Sequence, residues 1–200
     1  AVVTVLDGHQ MAKQGRAGAA LAQEAPQHED GPGPNMVIEV AAADGTAKGT
    51  ITLDLLQETA PNHVARLVEL AQSGAYDGVV FHRVIEGFMA QTGDVQHGKQ
   101  DGDISMAGTG GSDLPDLDAE FGDISFQAGT VGMARAQDPN SANSQFFIDL
   151  APATFLDGQY TVVGQLIDGW DVLQSITKGD PAANGKVDEP DYMATVTIVE

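Results

Sequence analysis

The chain contains no cysteine, which excludes disulfide bonds, thiolate catalysis and cysteine-ligated zinc. Basic residues are also scarce: nine Lys and Arg stand against 29 Asp and Glu, a formal net charge of −20. A field of that sign repels nucleic acid and anionic membranes, so we expect no nucleic-acid partner. No run of 18 apolar residues occurs, so we expect no membrane insertion.

The abundant carboxylates allow three interpretations. The simplest is a well-hydrated surface, and the second is adaptation to a salty environment that screens their mutual repulsion. The third is calcium binding, because acidic residues alternate between Asp113 and Glu120 somewhat as in an EF-hand loop. The Gly and terminal Glu spacing of that loop is missing, and His97 has no companion His at ligand spacing. We therefore predict no metal and no cofactor.

The pattern of apolar residues predicts a mostly-β domain. Residues 37–40 and 49–55 alternate between apolar and polar, and Asp44-Gly45 between them is a turn signal, so they predict a hairpin. Residues 194–200 alternate in the same way and predict the last strand. With 24 Gly and 9 Pro to make turns, we count about eight strands, in a barrel or a sandwich.

Two helices interrupt the strands. The first is predicted to be capped by Thr59, with Pro61 in its first turn and Gly74 at its end. His63 lies off its apolar stripe, so we expect a solvated side chain there rather than a ligand. The second helix is predicted over residues 170–177.

Residues 1–35 differ from the rest and are predicted to form an N-terminal arm, with the compact domain at 36–200. The arm combines a possible short strand at 1–6, helix-compatible residues 10–24 and a Pro/Gly/acidic linker at 26–35. One interpretation is a disordered tether. Another is a segment that packs on a surface, including self-association by donating a strand to a neighbouring copy.

The cellular location is not fixed by these features. The absence of Met at position 1 would follow from removal of a leader, although removal of Met alone explains it equally well. We expect a periplasmic or extracellular location in preference to a cytoplasmic one.

The most informative stretch is Phe81-His82-Arg83-Val84-Ile85-Glu86-Gly87-Phe88-Met89-Ala90-Gln91. Bulky residues predict two strands, and Gly87 predicts the turn between them. Arg83 lies within an apolar run, where a guanidinium usually has a partner or a role. This stretch resembles the signature of the cyclophilin peptidyl-prolyl isomerases. A second stretch, Asn143-Ser144-Gln145-Phe146-Phe147-Ile148, resembles the second signature of the same family.

The resemblance implies a fold, an activity and a site. The fold would be a closed eight-stranded antiparallel β-barrel capped by two α-helices, with the N-terminal arm as an extension. The activity would be peptidyl-prolyl cis-trans isomerisation in protein folding, with proline-containing polypeptides as partners. The catalytic residues would be Arg83 and Gln91. The residues that bind the substrate would be His82, Phe88, Met89, Ala134, Arg135, Gln145, Phe147, Phe155, Leu156 and Tyr160.

The sequence departs from the family pattern at a few positions. Glu86 and Thr92 stand where Pro and Gly are common, Phe155 where drug-sensitive members carry Trp, and Tyr160 where many carry His. Arg135 fits the form of many bacterial members. We expect Glu86 and Thr92 not to touch the substrate directly, whereas Tyr160 changes the fine specificity expected of the groove.

Two functional hypotheses remain. In the first, Arg83 stabilises the twisted amide and the protein is an isomerase. In the second, the same fold is a binding, chaperone or assembly module that holds proline-containing segments with little turnover. Taken singly, Phe88, Met89 and Phe147 are more often core residues, and Arg83 could be a structural partner of the many acids. Their joint occurrence in two signatures favours the isomerase.

Overall fold

A computed structural model describes residue 3 and residues 24–200. Within this part, nine strands and two α-helices are present, which confirms the mostly-β prediction. The strands are β1 (Asn35–Ala41), β2 (Ala47–Leu55), β3 (Val79–Val80), β4 (Arg83–Ile85), β5 (Met89–Thr92), β6 (Thr130–Met133), β7 (Phe146–Asp149), β8 (Val162–Asp168) and β9 (Tyr192–Val199). The helices are α1 (Pro61–Gln72) and α2 (Trp170–Ser175), and short 3₁₀ turns lie at Thr154–Leu156 and Pro181–Ala183.

All nine strands belong to one antiparallel sheet in the order β3-β9-β1-β2-β8-β6-β7-β5-β4. The prediction of a closed eight-stranded barrel is therefore wrong. The two edge strands, β3 and β4, are separated by only Phe81 and His82 in the chain, so the sheet must curl until its edges are neighbours. No ladder joins those edges among the described residues, and the sheet is a strongly curled half-barrel.

The extra strand arises before Gly87, where bulky residues predicted one strand and the structure has two, β3 and β4. The chain instead changes partner in the middle of this run. Val79 and Val80 pair with β9, whereas Arg83 to Ile85 pair with β5. A run of strand-forming residues does not reveal which neighbour each part will take, because pairing depends on distant segments.

Strands β5 and β7 each present two different faces, because successive side chains point to opposite sides of a sheet. On β7, Phe146 and Ile148 join the main core, whereas Phe147 joins a second apolar cluster. On β5, Ala90 faces the main core and Met89 faces the second cluster. The sheet therefore separates a large inner core from a smaller apolar cluster on its other side.

Helix α1 begins at Pro61, as predicted, but Thr59 does not cap it. The residue at the cap position is Ala60, which makes no side-chain capping bond. The first helical N–H groups instead donate to a distant carboxylate: Asn62 N lies 3.1 Å from Glu120 Oε1, and His63 N lies 3.0 Å from Glu120 Oε2. An acidic group suits this position because the helix N-terminus carries partial positive charge.

The same contact overturns the expectation for His63. Its side chain is fully buried, and its Nδ1 is hydrogen-bonded to Glu120 Oε2. Burial raises the pKa of Glu120, but the hydrogen bonds from His63 and Asn62 outweigh this and leave that pKa below its ordinary value. The helix pattern could not reveal the loop that covers this face.

The linker before β1 packs on the sheet. Gly31 N donates to Asp54 Oδ2 at 3.2 Å, and Gln165 Nε2 donates to the Glu29 carbonyl at 3.3 Å. His28 Nδ1 lies 3.1 Å from the carbonyl oxygen of Leu166. The strand predicted at 1–6 and the helix-compatible stretch 10–24 lie almost entirely outside the described residues, and the boundary between arm and domain stays a prediction.

In the part of the chain that the structure describes, neither helix has the length and apolar character needed to cross a lipid bilayer.

Candidate active site

Four residues form a row across neighbouring strands. Arg83 pairs with Gln91 between β4 and β5, Gln91 pairs with Phe147 between β5 and β7, and Phe147 pairs with Gly132 between β7 and β6. Side chains of directly paired residues lie on the same face of a sheet. The row therefore places a guanidinium, an amide and an aromatic ring side by side.

Gly132 is the member of this row that sequence reasoning missed. A Cβ atom at this position would lie 2.4 Å from Phe147 Cζ and 2.6 Å from Phe126 Cε1. Real Cβ atoms do not approach other atoms so closely, so any larger residue would displace the rings. The two rings stack with centroids 5.6 Å apart over this glycine.

Around the row lies the second apolar cluster, which we call the groove cluster. It contains six of the predicted substrate-binding residues, and Phe155 is partly buried against it. Phe147 meets Tyr160 edge-on with centroids 5.9 Å apart, and Phe88 meets Phe155 at 5.5 Å. The buried members of the cluster are Ile85, Phe88, Met89, Phe126, Ala134, Phe147, Ala153, Leu156, Tyr160 and Val162.

The polar residues of the site form a directional chain of hydrogen bonds. Arg83 Nη1 donates to Gln91 Oε1 at 3.1 Å, and Gln91 Nε2 donates to Gln145 Oε1 at 3.0 Å. Gln145 Nε2 then donates to the carbonyl oxygen of Gly110 at 2.9 Å. Because a guanidinium can only donate, it fixes the orientation of the Gln91 amide, and that amide fixes Gln145.

Asn184 holds Arg83 from the opposite direction, and sequence reasoning missed it. Arg83 Nε donates to the Asn184 carbonyl oxygen at 2.9 Å, and Nη2 donates to Asn184 Oδ1 at 3.0 Å. Asn184 has a φ of 56°. Every other residue of positive φ in the described part of the chain is a glycine. Asn tolerates this left-handed conformation better than most residues. Nothing in the sequence linked Asn184 to Arg83.

The loop opposite this turn is organised by Asp94, which is fully buried. Its Oδ2 accepts hydrogen bonds from Gly108 N at 2.8 Å and Gly110 N at 3.0 Å. Its Oδ1 accepts from the backbone N–H groups of Gln96 and His97. One carboxylate therefore fixes the loop whose Gly110 carbonyl orients Gln145.

His82, a predicted substrate-binding residue, lies beneath this loop. A Cβ atom at Gly108 would be 3.1 Å from its ring atoms Cδ2 and Nε2. Burial lowers the pKa of His82 to about 4, and the positive charge of Arg83 acts in the same direction, whereas Asp94 opposes it. The imidazole is therefore neutral at pH 7, and neither ring nitrogen has a hydrogen-bond partner within the described part of the chain.

Arg135 lies at the rim of the groove cluster. Its guanidinium carbon is 4.5 Å from the centroid of the Tyr160 ring, a cation–π contact. It also donates to the carbonyl oxygens of Ala136, Gln137 and Gln159. The structure therefore places Arg135 as a brace for Tyr160.

The groove-facing strand β7 also carries a buried carboxyl group that the sequence did not single out. Asp149 is fully buried, and neither of its oxygens has a hydrogen-bond partner among the described residues. Burial raises the pKa of Asp149 well above its usual range, and the negative charge of Asp157 raises it further. Within residue 3 and residues 24–200, no group of three or more His, Asp or Glu side chains is placed to hold a metal ion.

Comparison with known proteins gives a consistent result. Residues 37–198 match the family model described as cyclophilin type peptidyl-prolyl cis-trans isomerase. A probable peptidyl-prolyl cis-trans isomerase of Brucella suis is 55% identical over 152 residues, which cover 75% of this chain and 78% of the relative. A peptidyl-prolyl cis-trans isomerase of Synechococcus elongatus is 42% identical over 144 residues, which cover 71% of this chain and 92% of the relative.

Solved structures agree with the sequence comparisons. A cyclophilin from Hirschia baltica superposes with a TM-score of 0.68 at 27% identity, covering 85% of this chain and 75% of that one. A cyclophilin-type isomerase from Cryptosporidium parvum, crystallised in the presence of the dipeptide Ala-Pro, gives a TM-score of 0.68 at 25% identity. That match covers 83% of this chain and 99% of the other.

Proposed function

Because this chain belongs to the cyclophilin-type peptidyl-prolyl cis-trans isomerases, we propose that the row of Arg83, Gln91 and Phe147 carries out its reaction. The reaction class itself, isomerisation of Xaa-Pro peptide bonds, follows from membership of the family. The geometry of the groove cluster and of the polar chain beside it supports the roles that we propose for individual residues. The observation that carries the proposal is a fixed guanidinium directly beside a cluster of apolar and aromatic side chains.

The chemistry requires no covalent step. An amide resists rotation because the nitrogen lone pair is delocalised into the carbonyl group, which creates a barrier of about 18–20 kcal/mol. In the twisted transition state the lone pair is localised on the prolyl nitrogen, where it can accept a hydrogen bond. A donor placed there stabilises the transition state more than the planar ground state, and this difference accelerates the reaction.

Arg83 is suited to donate that hydrogen bond. Its charge is permanent, and its planar guanidinium presents donors in a rigid fork. Gln91 holds one nitrogen of the fork, and Asn184 holds the other two. The guanidinium is therefore oriented before substrate arrives, so little reorganisation is needed as the amide twists.

The groove cluster supplies the binding part of the site. We infer that Phe147, with Met89 and Leu156 beside it, holds the proline ring in both planar and twisted states. A dry apolar wall also strengthens the hydrogen bond from Arg83, because the local dielectric constant is low. Lowering the barrier by about 6 kcal/mol would accelerate the exchange by roughly four decades.

We propose that peptides containing Ala-Pro are suitable substrates. The support comes from the Cryptosporidium parvum protein, whose crystal structure was determined in the presence of that dipeptide. The test is exchange spectroscopy by NMR on a short Ala-Pro peptide with catalytic amounts of protein. Cis–trans exchange faster than the uncatalysed reaction supports the proposal. An unchanged exchange rate together with measurable binding favours the alternative, a peptide-holding module with little turnover.

A further inference from the structure

The groove contains a residue from the beginning of the chain. Val3 N donates to the carbonyl oxygen of Gly108 at 3.1 Å, and Gln91 Nε2 donates to the carbonyl oxygen of Val3 at 3.3 Å. The side chain of Val3 is partly buried against the groove cluster. A main-chain unit of this protein therefore lies where the proposed function places the substrate.

Both polar contacts are made by groups that the fold has fixed in place. The Gln91 amide nitrogen has two N–H groups: one donates to Gln145, and the other donates to Val3. A substrate carbonyl that approached Gln91 would need the N–H that Val3 takes. The Gly108 carbonyl belongs to the loop that Asp94 holds. Val3 thus uses acceptors and donors that a bound peptide would use.

The amino-acid composition of residues 1–6 is compatible with Val3 acting as a ligand of the groove. Residues 1–6 carry no charged side chain and include Val2, Val3, Val5 and Leu6, so they can approach a domain of strong negative charge without side-chain repulsion. The first proline of the chain is Pro26. No Xaa-Pro bond lies near Val3 in the sequence, so Val3 can occupy the groove without being turned over.

From these observations we propose that Val3 is a built-in competitor of the substrate, bound in the groove by its main-chain N–H and carbonyl groups. This proposal rests on the proposed function, because it assigns the groove to substrate binding. The groove then alternates between a state filled by Val3 and an open state that accepts prolyl peptides. The apparent affinity for substrate falls in proportion to the fraction of open molecules.

The chain is long enough for this contact to form within one molecule. Twenty-one peptide units separate Val3 from Glu24, the first residue of the described linker, and they can span up to roughly 70 Å when extended. A domain of this size is about 40 Å across. A tethered segment also reaches an effective concentration in the millimolar range, so even a weak contact is populated.

The test uses the full chain with a single substitution, Val3→Asp, which places a charge against the apolar cluster. Val199→Asp is the matched control, because it adds the same charge at a side chain that is 49% exposed. We expect Val3→Asp to raise kcat/KM for an Ala-Pro peptide about three- to tenfold, and Val199→Asp to leave it unchanged. Adding the free peptide Ala-Val-Val-Thr-Val-Leu should inhibit the Val3→Asp variant competitively.

The outcomes separate this proposal from the one on which it rests. Equal activity of the unaltered protein and Val3→Asp would overturn the competitor and leave the isomerase intact. Absence of activity in all variants would overturn the proposed function. A kcat/KM of the unaltered protein that falls as its concentration rises would show that the segment binds a second copy, which overturns the intramolecular form.

A spectroscopic measurement checks the same point without a substitution. Saturating the unaltered protein with the Ala-Pro peptide should move the amide signal of Val3 towards its position in the free hexapeptide, because the bond to Gly108 is lost. A Val3 signal that does not move on saturation would show that substrate and segment bind independently, and the proposal would be wrong.

Discussion

Asn184 and Arg83 are joined by two hydrogen bonds although they lie about a hundred residues apart in the chain. The carbonyl oxygen of Asn184 accepts from Arg83 Nε at 2.9 Å, and its side-chain Oδ1 accepts from Nη2 at 3.0 Å. The turn that carries Asn184 is itself tied to β4, because Val84 N donates to the Gly185 carbonyl at 2.9 Å. The orientation of the guanidinium is therefore set from outside the strand that carries it.

This contact predicts that Asn184 is a positioning residue. In Asn184→Gly the backbone carbonyl still accepts from Nε, but the bond to Nη2 is lost. Glycine adopts the positive φ without strain but is freer when unfolded, so we expect the free energy of unfolding to change by less than about 1 kcal/mol. We expect kcat to fall about three- to tenfold with little change in KM, because one hydrogen bond that orients Arg83 is missing.

The control for this variant is Asn140→Gly, which loses a hydrogen bond to the Ala119 amide instead of one to Arg83. Its kcat should match that of the unaltered protein. The Arg83 Nε–H signal provides a direct readout, since it should exchange faster with water in Asn184→Gly. A loss of stability without a change in kcat would show that the Asn184 contact serves folding alone.

Asp149 gives a prediction for the pH dependence of stability. Its pKa in the folded protein lies well above the unfolded value near 3.8, so the folded state binds more protons across that interval. Its favourable contribution is complete below the unfolded pKa and is lost as pH rises through the folded pKa. We therefore expect Asp149→Asn to be more stable than the unaltered protein at pH 7.

The advantage of Asp149→Asn should shrink towards zero near pH 4, as followed by urea unfolding at several pH values. His82 acts in the opposite sense, because its folded pKa of about 4 lies below the unfolded value of 6.5, so stability falls as pH drops through that interval. Subtracting the free energies of unfolding of the two proteins at each pH removes the His82 contribution, because both proteins contain His82. Asp123→Asn, at an exposed carboxylate, is the control and should follow the unaltered protein at every pH.

The net charge of −20 predicts that salt stabilises the fold. Raising ionic strength from about 0.01 M to 0.15 M shortens the Debye length from about 30 Å to about 8 Å and screens repulsion among surface carboxylates. We expect the melting temperature to rise steeply over this interval and then to level off. Sucrose at matched osmolality, which screens no charge, is the control. A melting temperature that stays flat or falls with NaCl would remove the interpretation of adaptation to salt.

The site residues were predicted from the resemblance of two stretches to family signatures, and alternation along short strands explains why several of them share one face of the sheet. Phe147 on β7 and Met89 with Gln91 on β5 lie on one face of the sheet, whereas their neighbours in sequence face the main core. The residues that were missed act across long sequence distances. Gly132 makes room for a ring on another strand, and Asn184 reaches Arg83 from the far end of the chain.

The incorrect predictions have the same physical origin. Strand-forming residues stand on both sides of His82 and Arg83, so the division of Val79 to Ile85 between β9 and β5 could not be read from propensity. His63 lies off the apolar stripe of α1, and only the fold brings Glu120 to cover it. The local pattern specifies which elements form. Distant segments decide which strands pair and which helix faces are covered by loops.

The most direct test of the account is Arg83→Ala, with both exchange rate and peptide affinity measured. We propose that Arg83 acts on the twisted amide while the apolar cluster holds proline in both states. Its removal should therefore lower the rate by about two to three decades, which corresponds to roughly 3–4 kcal/mol, and change the affinity little. Arg83→Lys should restore only part of the rate, because a flexible ammonium lacks the fixed fork.

Two further variants serve as a contrast and a control for Arg83→Ala. Phe147→Ala should weaken affinity as well as rate, because it removes the wall that contacts proline in both states. Arg66→Ala loses hydrogen bonds to the carbonyls of Pro115 and Asn143, so it should lower stability without a specific loss of kcat. The account predicts that NMR exchange on an Ala-Pro peptide slows at least a hundredfold in Arg83→Ala while the titrated affinity is nearly unchanged. An exchange rate equal to that of the unaltered protein would contradict it and make Arg83 a structural residue.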